Sequence, residues 1–384
     1  MSRTVVVSGW GTFVGKRSER LVLRPGVAKA RGPRTTSHIA AAIAPRPSPA
    51  ADGNAAWGLA DAIAAAEPPL PGPRPVEPEI PLFQVGEIIL PARGVTVSVE
   101  LLAEAAERGI AVSFLSSSGK PYALLSSPML TATVGTRREQ LRALDDERGA
   151  QVCKRIVSGK LRNQAGLLVY FAKGIAASDA SRRRRIIENA AAVRRARQQA
   201  VRIRAKTADA AREVLMGIEG AAARAYWAGV AAICEGRARF EGRKREGDIG
   251  PVNAVLNYGY GILYSRVWAA ALNAGLDPFA GFLHTDRPGK PSLVLDLVEE
   301  LRAPVVDRAV LAYIGLGRAV RFDGKRLDDD TRRAIADAVL ERLDAPVRYQ
   351  GRSLRLSSVI QHQARSLATF LRGEGDWRGF TMYW

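Results

Sequence analysis

Cysteine is nearly missing from this chain: Cys153 and Cys234 are the only two in 384 residues. Two thiols exclude a disulfide framework, a four-cysteine zinc site and an iron–sulfur cluster. Histidine is almost as scarce, with only His38, His284 and His362, so zinc, which favours several His or Cys ligands, fits poorly. No run reaches the roughly 18 uninterrupted apolar residues of a membrane span. The short Thr4–Val7 run falls far below the apolar part of a signal peptide, so the expectation is a soluble cytoplasmic protein with no membrane partner. Acidic residues are also in deficit, 38 Asp plus Glu against 57 Lys plus Arg, a net charge of +19. Such an excess points to a polyanion, with nucleic acid ahead of a membrane surface. Apolar residues are plentiful at 47%, enough for buried cores and against wholesale disorder.

The charge is uneven. Residues 1–130 hold 13 Lys/Arg and 10 Asp/Glu, whereas the remainder holds 44 and 28, a net of +16. Any nucleic-acid contact is therefore expected mainly in the later two-thirds. Ten of the 21 prolines fall between Arg31 and Glu79, among alanine runs. Proline lacks the ladder N–H, so residues 31–79 read as an insertion or linker. Around that segment, strand patterns cover Val5 to Val7, Gly11 to Val14, Arg20 to Arg24, Ile80 to Val85, Glu87 to Leu90, Val95 to Val99, Ile110 to Leu115 and Pro121 to Leu125, with a short amphipathic helix at Glu100 to Arg108. After about Met129 the pattern turns helical, over roughly 137–175, 178–206, 208–236, 251–274, 292–302, 304–317, 328–343 and 355–372. The fold class expected is α+β: a small N-terminal β domain, 1–128, then a larger all-α domain, 129–384.

Chemistry-bearing residues are few. His284 follows apolar residues and precedes a Gly/Pro loop; alone, it reads equally as a core or surface histidine. Ser292 suits the N-cap of a helix with Leu293, Leu295, Leu297 and Leu301 on its apolar positions. Asp296 and Glu299 share a face of that helix, where burial demands a cation; ion pairs to Arg302 or Arg308, or simple solvation, satisfy them too. Glu219 stands among small residues that let another helix or a ligand approach. Two carboxylates and one imidazole suit Mg²⁺ or Mn²⁺, although spacing does not bring Glu219 to His284. Two basic blocks offer phosphate contacts: Arg182, Arg183, Arg184 and Arg185 opening one helix, and Arg237, Arg239, Arg243, Lys244 and Arg245 in a loop with Phe240.

Four segments together carry a family resemblance: Ile156-Val-Ser-Gly-Lys-Leu-Arg-Asn-Gln164, Ile218-Glu-Gly-Ala-Ala-Ala-Arg-Ala-Tyr226, Pro251-Val-Asn-Ala-Val-Leu-Asn-Tyr-Gly-Tyr-Gly-Ile-Leu-Tyr264, and His284 through Asp307. With the terminal Phe380-Thr-Met-Tyr-Trp384, they make the chain resemble the CRISPR-associated endonuclease/integrase of CRISPR adaptation. The resemblance implies a β-sandwich-like N-terminal domain, an α-helical catalytic domain and a homodimer paired through the β domains. It places catalytic metal ligands on Glu219, His284 and Glu299, an accessory acid on Asp296, DNA contacts on Lys290 and Ser292, and structural support on Asn253, Asn257 and Tyr258. It implies Mg²⁺ or Mn²⁺ as cofactor. The partners it implies are double-stranded DNA (prespacer and CRISPR repeat/leader) and a small adaptation subunit bridging two dimers. The implied reaction is 3′-OH attack on phosphodiesters at repeat borders, which needs no protein nucleophile. A transposon-encoded relative, for which a C-terminal DNA-binding extension would be expected beyond Trp384, and a non-catalytic DNA-binding scaffold are the alternatives.

Overall fold

The computed structural model describes residues 3–7, 11–24, 79–90, 94–116, 119, 121–125, 133–244, 250–322 and 326–384. The expected insertion, 31–79, lies outside the described residues apart from Glu79, as does Arg245. The N-terminal strands are β1 (Arg3–Val6), β2 (Phe13–Arg17), β3 (Arg20–Arg24), β4 (Glu79–Pro81), β5 (Val85–Leu90), β6 (Thr96–Val97), β7 (Ala111–Leu115) and β8 (Pro121–Leu125). They form two four-stranded sheets, ordered β1-β5-β7-β8 and β4-β3-β2-β6. In the first, β1, β5 and β7 run parallel and β8 antiparallel. Helix α1 (Val99–Glu107) provides the crossover into β7, opened by Ser98, whose Oγ accepts from Leu101 N at 3.2 Å.

Alternation along β5 shows how the two parts join. Ile88 and Leu90 face a core shared by both sheets and α1, with Val5, Val14, Leu21, Leu101 and Val112. Ile89 points the other way and joins the helical core. Glu87 shares that second face; it is fully buried, and Arg266 Nη1 of the helical part meets its Oε2 at 3.0 Å. A largely parallel sheet is thereby covered on both faces, consistent with the sandwich-like expectation.

The later part is built on α2 (Thr133–Arg142), α3 (Glu147–Ala172), α4 (Ala180–Arg202), α5 (Ala208–Cys234), α6 (Gly250–Asn273), α7 (Ser292–Leu301), α8 (Arg308–Gly315), α9 (Asp329–Asp344) and α10 (Leu356–Leu371). The continuous helix expected over 137–175 is broken, because Asp146 caps α3, its Oδ1 accepting from Arg148 N at 2.8 Å. Between α7 and α8, Arg302–Asp307 widens into a π-helical turn around Pro304, whose missing N–H interrupts the regular ladder. The segment expected to be wholly helical also contains a hairpin, β9 (Pro346–Tyr349) with β10 (Arg352–Arg355). Its two turn residues, Gln350 and Gly351, have φ of 47° and 79°, the left-handed pair of a tight hairpin turn. Among the described residues no helix is long and apolar enough to cross a membrane.

Candidate metal centre and nucleic-acid surface

Three elements converge on Lys160 of α3. Its ammonium pairs with Glu219 of α5 and lies 2.5 Å from Oε2 of Glu299 on α7. Lys160 and Glu299 are nearly inaccessible, with 7% and 2% of their side chains exposed. Arg302 Nη1 lies 3.0 Å from the other carboxylate oxygen of Glu299. Burial alone would raise the pKa of Glu299, but Arg302, Lys160 and His284 outweigh it and hold the carboxyl at about 2. Its Oε2 still accepts no hydrogen bond of acceptable angle, despite the nearby ammonium. Glu219 is more open, with 17% of its side chain exposed.

His284 is oriented from behind. Asp296 Oδ1 accepts from His284 N at 2.9 Å and faces His284 Nδ1 at 2.8 Å. Asp296 Oδ2 accepts from Phe282 N at 2.6 Å and from Leu283 N at 2.9 Å. A carboxylate bonded in this way places the imidazole proton on Nδ1 and leaves Nε2 as the ligand nitrogen. Asp296 is fully buried and spent on this loop, so it is an orienting group rather than the accessory acid facing a metal. Among the described residues no group of three or more His, Cys, Asp and Glu side chains stands ready to hold an ion. Glu219 and Glu299 meet, His284 acts on Glu299 electrostatically, and Lys160 fills the space between the carboxylates. The donor set, with its unsatisfied Glu299 oxygen and an Nδ1-protonated histidine, fits a hard divalent cation once Lys160 moves aside.

The loop before α7 departs from expectation. Ser292 caps nothing: Pro291 holds the N-cap position, and Ser292 Oγ donates to Thr285 O at 3.2 Å with no exposed surface. It braces the histidine loop instead of facing DNA. Lys290 Nζ also donates to Thr285 O, at 3.2 Å, but is only half-buried.

The basic candidates separate in the same manner. Arg183 and Arg184 are exposed on α4. Arg182 pairs with Asp179 at 3.2 Å, Arg185 with Glu235 at 2.5 Å and Arg239 with Glu241 at 2.6 Å. Arg237 donates to Gly315 O. Lys244 is exposed and lies 3.7 Å from Glu241. Arg243 is an anchor, donating to Asn253 Oδ1 at 3.0 Å and Asn257 Oδ1 at 2.5 Å. These contacts explain the two asparagines, which tie the basic loop to α6. Tyr258 is buried against the Gly119 backbone. His362 is exposed, its ring centroid 6.2 Å from that of Tyr349, and His38 lies outside the described residues.

Several supporting residues escaped the sequence reading. Lys160 and Asn163 are buried polar residues one turn apart on α3, a pairing that could have marked them. Tyr226 and Tyr260 both donate to Asp307, and the Tyr260 ring lies under Arg243 and Arg302, at 5.4 Å and 5.0 Å. Nothing local in the sequence announces that chain of contacts.

Comparison with known proteins gives a consistent answer. Residues 75–341 match the family model of the CRISPR associated protein Cas1. A CRISPR-associated endonuclease Cas1 of Archaeoglobus fulgidus is 37% identical over 286 residues, 71% of this chain and 82% of the relative. One from Pyrobaculum aerophilum is 38% identical over 293 residues, 76% of this chain and 90% of the relative. In fold, the chain is similar to a CAS1 protein from Thermotoga maritima, with a TM-score of 0.68 and 18% identity over 98% of both chains. It is also similar to a casposase bound to integration product, with a TM-score of 0.70 and 21% identity over 99% of this chain and 93% of the other. The chain belongs to the Cas1 family of CRISPR-associated proteins.

Proposed function

We propose that this Cas1-family chain is a metal-dependent DNA endonuclease and integrase of CRISPR adaptation, inserting short DNA fragments into a CRISPR array. The observation that carries the reading is the meeting of Glu219 and Glu299 at one buried positive point, with the His284 ring oriented by Asp296 through Nδ1. Glu219, Glu299 and His284 Nε2 are the groups that would hold Mg²⁺ or Mn²⁺, and such an ion supplies positive charge for the attacking 3′ oxygen and the leaving oxygen of phosphoryl transfer. Two carboxylates to one imidazole favour these ions over zinc. Asp296 keeps the imidazole proton on Nδ1, and Arg302 holds Glu299 ionised and correctly placed. Exposed Arg183, Arg184 and Lys244 offer phosphate contacts that fix position without reading bases.

The same reading takes residues 129–384 as the catalytic domain and residues 1–128 as the β domain through which two copies pair. Its partners are double-stranded DNA, as prespacer and as repeat with leader, and a small adaptation subunit bridging two dimers. Similar folds occur in a casposase described as bound to integration product and in a Cas6-RT-Cas1–Cas2 complex, the latter with a TM-score of 0.68 and 17% identity; both support the reading. A strand-transfer assay with labelled duplex, a repeat target and Mg²⁺ or Mn²⁺ tests it. Glu219→Ala, His284→Ala and Glu299→Gln are expected to abolish product while leaving DNA binding measured without the divalent ion largely intact. Near wild-type strand transfer by His284→Ala would overturn the assignment.

A further inference from the structure

Lys160 is an unusual occupant for a metal site. A buried ammonium is costly unless anions face it, and here Glu219 and Glu299 both do. Arg302 brings a second positive charge to Glu299, at 3.0 Å. Two carboxylates and two cations therefore balance before any divalent ion arrives. Lys160 stands between the carboxylates that such an ion would need. The Glu219 end of the pair keeps 17% of its side chain exposed, and the lysine stem has four rotatable carbons.

We propose that Lys160 is the resident counter-ion of this site: it holds Glu219 and Glu299 together in the free protein and competes with a divalent cation for them, surrendering both when a DNA phosphate receives its ammonium. The proposal rests on the metal-dependent reading above. Without DNA, an entering ion strands the ammonium beside a doubly charged neighbour, so metal binding is weak. With DNA, the ammonium turns to a phosphate oxygen and both ligands settle. Metal and DNA affinities are then coupled, and by linkage each strengthens the other. Lys160 is in this sense a positioning residue whose effect is read in binding, independent of turnover.

Mn²⁺ titrations followed by electron paramagnetic resonance, on wild type, Lys160→Gln and His284→Ala, test the idea. Circular dichroism confirms that each variant is folded. Without DNA, Lys160→Gln is expected to bind Mn²⁺ at least about tenfold more tightly than wild type, since a unit charge near 4 Å opposes a divalent ion appreciably even in water. A short duplex is expected to tighten Mn²⁺ binding about fivefold or more in wild type and clearly less in Lys160→Gln. If Lys160→Gln binds no more tightly than wild type while His284→Ala loses Mn²⁺, the metal site stands and the counter-ion role falls. If His284→Ala binds Mn²⁺ as wild type does, the metal reading itself falls. Should Lys160→Gln fail to fold, wild type alone decides the matter by reductive methylation of Lys160, read by mass spectrometry. Methylation is expected to rise when saturating Mn²⁺ is added without duplex and to fall again when duplex follows, and unchanged protection at saturating Mn²⁺ would refute the exchange.

Discussion

Asp296→Asn isolates one orienting contact without changing side-chain size. In the wild type the carboxylate accepts from three backbone N–H groups and faces His284 Nδ1, all between 2.6 and 2.9 Å. A carboxamide has one accepting oxygen, so only one of the two pairs survives. Its NH₂ then confronts either Phe282 N and Leu283 N, donors against donors, or His284 N and an Nδ1 that accepts only by giving its proton to Nε2. Each hydrogen bond to a charged group contributes about 1.5–3 kcal/mol, so losing two costs about 3–6 kcal/mol, a large share of a typical stability of about 5–15 kcal/mol. The functional cost is separate: an imidazole that loses its second partner typically binds metal about 10–100-fold more weakly. Urea unfolding measures the first quantity and Mn²⁺ titration the second. A variant with the wild-type urea midpoint and unaltered Mn²⁺ affinity would show that Asp296 does not hold the histidine loop.

Three further outcomes follow from the packing. Glu87→Ala leaves Arg266 without its buried partner and is expected to cost about 3–5 kcal/mol in urea unfolding. Burial raises the Glu87 pKa above 4.5, an effect that Arg266 and Ser113 reduce without cancelling. Its stabilising contribution is therefore complete below that pH and falls as pH rises through the folded-state value, a dependence that Glu87→Gln should remove. Gly261→Ala would set a Cβ 1.7 Å from Gly119 O, and a loss of about 3 kcal/mol or more, read as a lowered melting temperature, is expected from such overpacking. Asn163→Ala deletes bonds to Glu300 O, Phe380 O and Met382 N, at 2.7, 2.9 and 2.8 Å. The C-terminal segment that they strap to α3 and α7 should then be cut faster in limited proteolysis, and unchanged cleavage would count against the strap.

Much of the architecture is written locally. The strands Arg20–Arg24 and Pro121–Leu125 follow from short β-rich runs and their turns, and α5 to α7 from apolar periodicity between glycine and proline breaks. Where expectation and structure part, a short-range competitor had been overlooked. Asp146 caps a helix inside an apparently continuous one, Gln350-Gly351 folds a hairpin within a helical region, and Pro304 widens a helix into a π turn. The candidate residues are legible as types, Glu219 among small residues, His284 before a Gly/Pro loop and Glu299 on an amphipathic helix, and the family resemblance groups them.

What those residues do was decided by distant segments. Ser292 and Asp296 look alike in the sequence, as polar groups near a helix start, yet both turn inward and build the loop that carries His284. Arg243, one of a basic run, ends as an anchor on Asn253 and Asn257. Lys160 had no role at all until α3, α5 and α7 packed together, with 59 residues separating it from Glu219. Composition, charge and periodicity are properties of neighbours along the chain, so the sequence by itself determined the basic, mostly helical character of the protein, its scarcity of thiols and its set of possible metal ligands. Which carboxylates meet, and which cation stands between them, depends on burial and pairing across separate helices, and only the tertiary structure decided that.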